Sequence, residues 1–125
     1  MPRPISKKGL KKKLDGLWSE LVKQESGYKC EVCGKSHSQT PLNSHHMVGR
    51  RNLRLRWEVY NGVALCSGCH VFKTQSAHQN PVWFDEWLRE NRSEDYKLVK
   101  QTMNEIKKWT MDEMLELREE FEETI

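Results

Sequence analysis

The chain has 125 residues, of which 31% are charged and 36% are hydrophobic. This length corresponds to one domain with a modest core, so we expect a further source of stability besides apolar burial. No uninterrupted apolar stretch reaches the length of a signal peptide or a membrane span, which excludes those classes and favours a cytoplasmic protein.

The charge is unevenly distributed along the chain. Residues 1–60 contain 13 Lys and Arg against 5 Asp and Glu, a balance of +8, whereas residues 61–125 contain 8 against 13, a balance of −5. Clustered cations gain free energy on a phosphate backbone by releasing counterions, so the first half is a candidate nucleic-acid surface. The alternative is an ordinary solvated helix face.

The first predicted element is an amphipathic helix over residues 9–25, in a basic N-terminal region that we place at residues 1–27. Its apolar residues recur every three or four positions with lysines opposite, and Gly27 ends it. The apolar positions are Leu10, Leu14, Leu17, Trp18, Leu21 and Val22.

Two C-x-x-C pairs follow, Cys30 with Cys33 and Cys66 with Cys69. In a reducing compartment this spacing is typical of two zinc knuckles, which together supply the four thiolates of a tetrahedral structural zinc. Such an ion stabilises finger peptides by about 10 kcal/mol or more, enough to replace a large core. The alternative is four free buried cysteines.

Between and beyond the cysteines the pattern predicts two strands, at residues 42–48 and 62–66, and a short helix that begins near the second cysteine pair. Asn80 and Pro81 then open a helix that runs to about residue 91. Ser93 begins another, which ends at Lys107 and Lys108, and Thr110 with Glu113 forms a capping box before a final acidic helix. We assign residues 28–80 to the zinc-containing core and residues 81–125 to helices that pack on it within a single domain.

Two adjacent histidines, His45 and His46, lie on the first predicted strand. Consecutive side chains of a strand point to opposite faces, so the pair is suited to two different tasks. Cys66 and Cys69 anchor His70 opposite this strand. One histidine of the pair can therefore share a second metal with His70, while the other remains free as a base.

The segments H-H-M-V-G-R-R-N and N-G-V-A-L-C-S-G-C-H resemble the HNH endonuclease family in its zinc-containing, often phage-encoded form. The resemblance covers about residues 28–84 and implies a ββα-metal fold that cleaves DNA phosphodiester bonds with one divalent cation. It makes His45 a metal ligand, His46 the general base, Asn61 a backbone-bonding support and His70 the second metal ligand. It also implies the cytoplasm of a bacterial or phage-infected cell.

The chain departs from that pattern at Thr74, where many relatives carry another metal ligand. His78 is the nearest substitute, but an intact helix would place it about 12 Å from His70, so ligation requires the helix to bend or stop. A surface or capping role for His78 is the alternative. The catalytic cation stays open among Mg²⁺, Mn²⁺, Ni²⁺ and Zn²⁺.

Four arginines follow the histidine strand, where their guanidinium groups could hold DNA phosphates; the alternative is a solvated loop. They are Arg50, Arg51, Arg54 and Arg56. Two other functions compete with a nuclease: a zinc-ribbon module that binds nucleic acid without catalysis, and an adaptor that recruits a protein partner through the acidic helix at residues 111–123.

Overall fold

The computed structural model describes residues 4–125, so the first three residues of the predicted N-terminal region lie outside it. The helices are α1 (Lys7–Glu25), α2 (Pro81–Asn91), α3 (Ser93–Thr102) and α4 (Met111–Thr124), and the strands are β1 (Leu42–His46) and β2 (Gly62–Cys66). A 3₁₀ turn at Val59–Asn61 precedes β2, and a π-helical turn at Gly68–Phe72 follows it. The predicted α+β class, with flanking helices and four clustered cysteines, is confirmed.

The two strands form one antiparallel pair in which His45 lies opposite Val63 and His46 opposite Gly62. Opposed residues of an antiparallel pair share a face of the sheet, and successive residues alternate between faces. His45 therefore lies on the face of Val63, and His46 on the face of Gly62. The two adjacent histidines therefore contact different parts of the molecule.

Each face of β2 is covered by its own apolar cluster, which is why every residue of the strand is buried. Ala64 packs in a cluster with the buried face of α1 and with Met114 and Phe121 of α4. Val63 and Leu65 pack instead with three of the four cysteines and with Phe84 and Leu88 of α2. The sheet is thus the middle layer between two small cores.

Helix α1 approaches the sheet closely at Gly62. A Cβ atom at this position would overlap the side chain of Val22 and lie 2.9 Å from the Trp18 ring. Because Gly62 has no side chain, α1 can pack directly on β2 at the residue that lies opposite His46.

Two predicted boundaries are wrong. Strand β1 ends at His46 rather than residue 48, because the backbone of Val48 bonds the side chain of Asn61 instead of a strand partner. Helix α3 ends at Thr102 rather than residue 108. The chain then leaves the helix, and Trp109 donates a hydrogen bond to the carbonyl of Leu53 at 2.8 Å.

The predicted capping box of α4 is present, with reciprocal bonds between Thr110 and Glu113. The division into regions 1–27, 28–80 and 81–125 stays a prediction. Within residues 4–125, every helix is too short or too polar to cross a lipid bilayer.

Candidate metal centres and active site

The four cysteines converge on one point. Their sulfur atoms lie within 4.8 Å of one another, and Cys33 and Cys66 are 3.6 Å apart. Zinc–sulfur bonds of about 2.3 Å place the thiolates of a tetrahedral site about 3.8 Å apart, so the arrangement fits a structural zinc. Four cysteines this close could bind such an ion.

The local backbone explains how each pair reaches this point. In the first knuckle Gly34 adopts a φ of 79°, and its N–H donates to the Cys30 carbonyl at 2.9 Å. In the second, the N–H of Cys69 donates to the Cys66 sulfur at 3.4 Å. Burial raises the pKa of the Cys66 thiol, but this bond and the neighbouring thiols lower it to about 7, whereas burial and the neighbouring thiols raise the pKa of Cys33 and of Cys69.

A second cluster consists of His45, His70 and His78. His45 Nδ1 lies 3.2 Å from His70 Nε2, which lies 3.1 Å from His78 Nε2. A cation bound at about 2.0–2.1 Å places neighbouring imidazole nitrogens about 3.0–3.4 Å apart, so these spacings fit three ligands of one ion. Because the remaining side would be open to solvent at the exposed His78, water and a phosphate could reach such an ion.

His78 reaches the cluster because the helix after β2 stops after a single turn. The π-helical turn ends at Phe72, and Lys73 is extended. The chain then folds back, so that the N–H of Ala77 donates to the Cys69 carbonyl at 2.9 Å and that of His78 to the His70 carbonyl at 3.0 Å. The condition set by the sequence, a helix that bends or stops, is met. Thr74 is exposed and makes no side-chain hydrogen bond in the described chain.

His45 has the properties of a neutral metal ligand. Burial, and then the neighbouring His70 and His78, lower the pKa of His45 to about 4. Burial likewise lowers the pKa of His70, with His78 adding to the effect. Both imidazoles are therefore unprotonated at neutral pH, as metal coordination requires.

His46 lies on the opposite face of β1 and makes different contacts. Its ring stacks on the Trp18 indole with centroids 3.8 Å apart and planes inclined by 6°. His46 Nε2 lies 3.0 Å from the carbonyl oxygen of Arg56. A carbonyl only accepts, so Nε2 carries the hydrogen and Nδ1 is the free lone pair. Burial lowers the pKa of His46, while the Arg56 carbonyl and the Asp15 carboxylate act in the opposite direction.

Asn61 is fully buried and ties the loop between the strands together. Its amide donates to the carbonyls of Val48, at 2.8 Å, and Leu55, at 3.2 Å, and its oxygen accepts from the Val48 N–H at 2.9 Å. These bonds fix the chain on both sides of the Arg-rich loop and hold the end of β1 in place. These are backbone bonds across the loop of the kind expected for Asn61, and its support of a catalytic base stays a prediction.

The four arginines divide into two pairs. Arg50 and Arg51 are exposed, as a phosphate contact requires. Arg54 instead bonds Glu58 and Glu105, and Arg56 forms a two-point ion pair with Asp15 at 2.9 and 2.8 Å. Because their guanidinium groups already have carboxylate partners, the structure does not favour the predicted phosphate contacts of Arg54 and Arg56.

Two residues at this site escaped the sequence analysis. Trp18 was predicted only as part of an apolar helix face, and Asp15 was given no role. Asp15 accepts from Arg56 and, at 2.8 Å, from the Trp57 indole. The available signal was weak: Asp15 is the first acidic residue of the chain and lies two positions after a run of three lysines.

Comparison with known protein families supports the resemblance. A family model described as HNH endonuclease matches residues 30–76, which is 47 of the 125 residues and includes His45, His46, Asn61 and His70. The match indicates a nuclease-type function that involves nucleic acid. No curated protein and no solved structure gave a significant match to the chain.

Proposed function

We propose that this chain, whose residues 30–76 carry an HNH endonuclease domain, hydrolyses DNA phosphodiester bonds with the help of one divalent cation. One observation supports this most strongly. The imidazoles of His45, His70 and His78 converge with the spacing of metal ligands. His46, which follows His45 on β1, presents a fourth imidazole on the other face of the sheet.

His46 is the proposed general base. Its Nδ1 lone pair accepts a proton from a water molecule, and the resulting hydroxide attacks phosphorus in line with the bond to the leaving 3′ oxygen. The phosphorus–oxygen bond on the 3′ side then breaks, and the leaving oxygen takes a proton from solvent. The expected products carry a 5′ phosphate and a 3′ hydroxyl.

His45, His70 and His78 are the proposed ligands of the catalytic cation. When bound, the cation would act as a Lewis acid for the phosphate and stabilise the charge that grows on the leaving oxygen. Neutral imidazoles suit Zn²⁺ and Ni²⁺ better than Mg²⁺, which prefers oxygen ligands, so we favour a transition metal.

Arg50 and Arg51 are the proposed phosphate contacts nearest the site. The exposed lysines Lys7, Lys8, Lys12 and Lys13 of α1 extend the positive surface. These exposed cations belong to residues 1–60, whose net charge is +8. On binding DNA they would displace counterions from its phosphate backbone. Arg54 and Arg56 contribute by fixing the loop between the strands.

A cytoplasmic location, in a bacterial or phage-infected cell, belongs to the same proposal. Four cysteines arranged for metal binding suit a reducing compartment. A protein partner for the acidic face of α4 stays a prediction; the apolar face of that helix packs within the chain, where Met114 and Phe121 are buried against α1.

The proposal is tested by cleavage of supercoiled plasmid by the full chain, freed of loosely bound metal and then given Mg²⁺, Mn²⁺, Ni²⁺ or Zn²⁺. We expect cation-dependent nicked or linear products. His46→Ala should lower the rate about 10²- to 10⁴-fold, since that is the usual contribution of a general base. Zinc content and DNA affinity should stay near those of the parent chain, and His37→Ala, an exposed histidine elsewhere, is the matched control.

Each unfavourable result has a specific meaning. Undiminished cleavage by His46→Ala rejects the assignment of the base. DNA binding with no cleavage under any of the four cations rejects the nuclease and favours the zinc-ribbon binding module.

A further inference from the structure

We propose that helix α1 completes the active site, with Trp18 and Asp15 as positioning residues that hold the His46 ring in one orientation and one tautomer. Both residues lie outside the part of the chain that matches the family model. The inference rests on the proposed function, because it assigns the machinery that orients the proposed base.

Trp18 supports one whole face of the imidazole. The two rings are nearly parallel at a centroid separation of 3.8 Å. The indole is itself fixed, since it is 2% exposed and its Nε1 donates to the Glu58 carbonyl at 2.7 Å. A ring pressed against an immobile surface cannot turn out of its plane, so the stack limits the rotation of His46 about its side-chain bonds.

Asp15 stabilises the second contact that holds the His46 ring, the hydrogen bond from Nε2 to the Arg56 carbonyl. Its carboxylate binds the Arg56 guanidinium at two points and the Trp57 indole at a third. These bonds fix the residue whose carbonyl accepts from His46 Nε2. The chain of contacts thus runs from Asp15 through Arg56 to the base.

The two constraints together select the reactive nitrogen. Rotation of the ring by half a turn about the Cβ–Cγ bond would put Cδ2 in the place of Nδ1 and Cε1 in the place of Nε2, so the ring would lose both its acceptor position and its bond to the Arg56 carbonyl. The stack opposes that rotation, and the Arg56 carbonyl keeps the hydrogen on Nε2, so Nδ1 stays available as an acceptor. A residue that only fills the core would not select between these states.

Catalysis provides the first test. Trp18→Met fills much of the space but removes the flat surface, and we expect kcat on a short duplex to fall about ten- to a hundredfold with KM little changed. Trp18→Phe restores an aromatic face and should recover most of kcat. Leu10→Ala, about 12 Å earlier along the same helix, removes a buried side chain away from His46 and should lower stability without lowering kcat.

The second test is spectroscopic and needs no substrate. Nitrogen-15 shifts of the His46 ring should show the Nε2–H tautomer in the parent chain and in Trp18→Phe. Trp18→Met and Asp15→Ala should both show a mixture of tautomers, whereas Glu20→Ala, another acidic residue of α1, should not. If Trp18→Met fails to fold, the comparison of Asp15→Ala with Glu20→Ala decides the question.

The failure of this inference is distinguishable from the failure of the proposed function. If His46→Ala abolishes cleavage while Trp18→Met and Asp15→Ala keep the parent kcat and tautomer, α1 has only a structural role. If His46→Ala cleaves normally, the proposed function itself loses its base. Equal losses of kcat in Trp18→Met and Leu10→Ala would also overturn the inference.

Discussion

At the scale of single residues, strand alternation separates His45 from His46, but the sequence left the place of His78 open and gave no sign of a contact between His46 and Trp18. Alternation along a strand places His45 and His46 on opposite faces, and this follows from the strand pattern alone. The involvement of Trp18 depends on how closely α1 packs against Gly62, which is a tertiary contact between residues 44 positions apart. No local pattern encodes such a contact.

His78 is the residue whose role most needs a direct test. We expect His78→Ala to weaken binding of the catalytic cation by about a hundredfold or more, since loss of an outer-shell partner alone costs about 10- to 100-fold. Calorimetric titration of the zinc-containing protein with Ni²⁺ measures the change. His37→Ala should bind Ni²⁺ as the parent chain does, and an unaltered affinity in His78→Ala would leave the ion with His45 and His70 alone.

At the scale of elements, amphipathic periods and capping signals predicted α2 and β2 at their observed bounds, and α1 to within two residues at its start. The turn after β2 was harder, because the chain leaves the helix at Lys73 to bring His78 back over His70. That reversal depends on bonds to the carbonyls of Cys69 and His70. Both carbonyls belong to the turn that contains Cys69, so the reversal is anchored next to the cysteine cluster.

The cysteine cluster joins the two knuckles and includes Cys69, the residue that precedes His70. We expect Cys30→Ser to lose zinc and to unfold, because a structural zinc contributes about 10–16 kcal/mol in finger peptides and the two apolar clusters here are small. Zinc content and near-ultraviolet circular dichroism measure the two effects. Val32→Ala, in the same turn, should retain the ion and the fold. A well-folded Cys30→Ser protein without zinc would contradict the structural role of the ion.

At the scale of the whole molecule, composition predicted a small core with additional support and a basic first half. The described residues form two apolar clusters, one on each face of a two-stranded sheet, and three of the four cysteines belong to one of them. Composition could not predict which of the positively charged side chains form ion pairs within the protein. Arg54 and Arg56 pair with carboxylates that are distant in sequence, so only some of the cations stay free for a polyanion.

We propose that this fold can hold two metal ions of different kind, one bound by four sulfurs and one by three imidazoles. The most direct test is an anomalous scattering measurement on crystals of the zinc-containing protein soaked in Ni²⁺. We predict a zinc peak enclosed by Cys30, Cys33, Cys66 and Cys69, and a separate nickel peak bound by His45, His70 and His78. A map without nickel among the three imidazoles, in crystals that bind nickel elsewhere, would contradict the account.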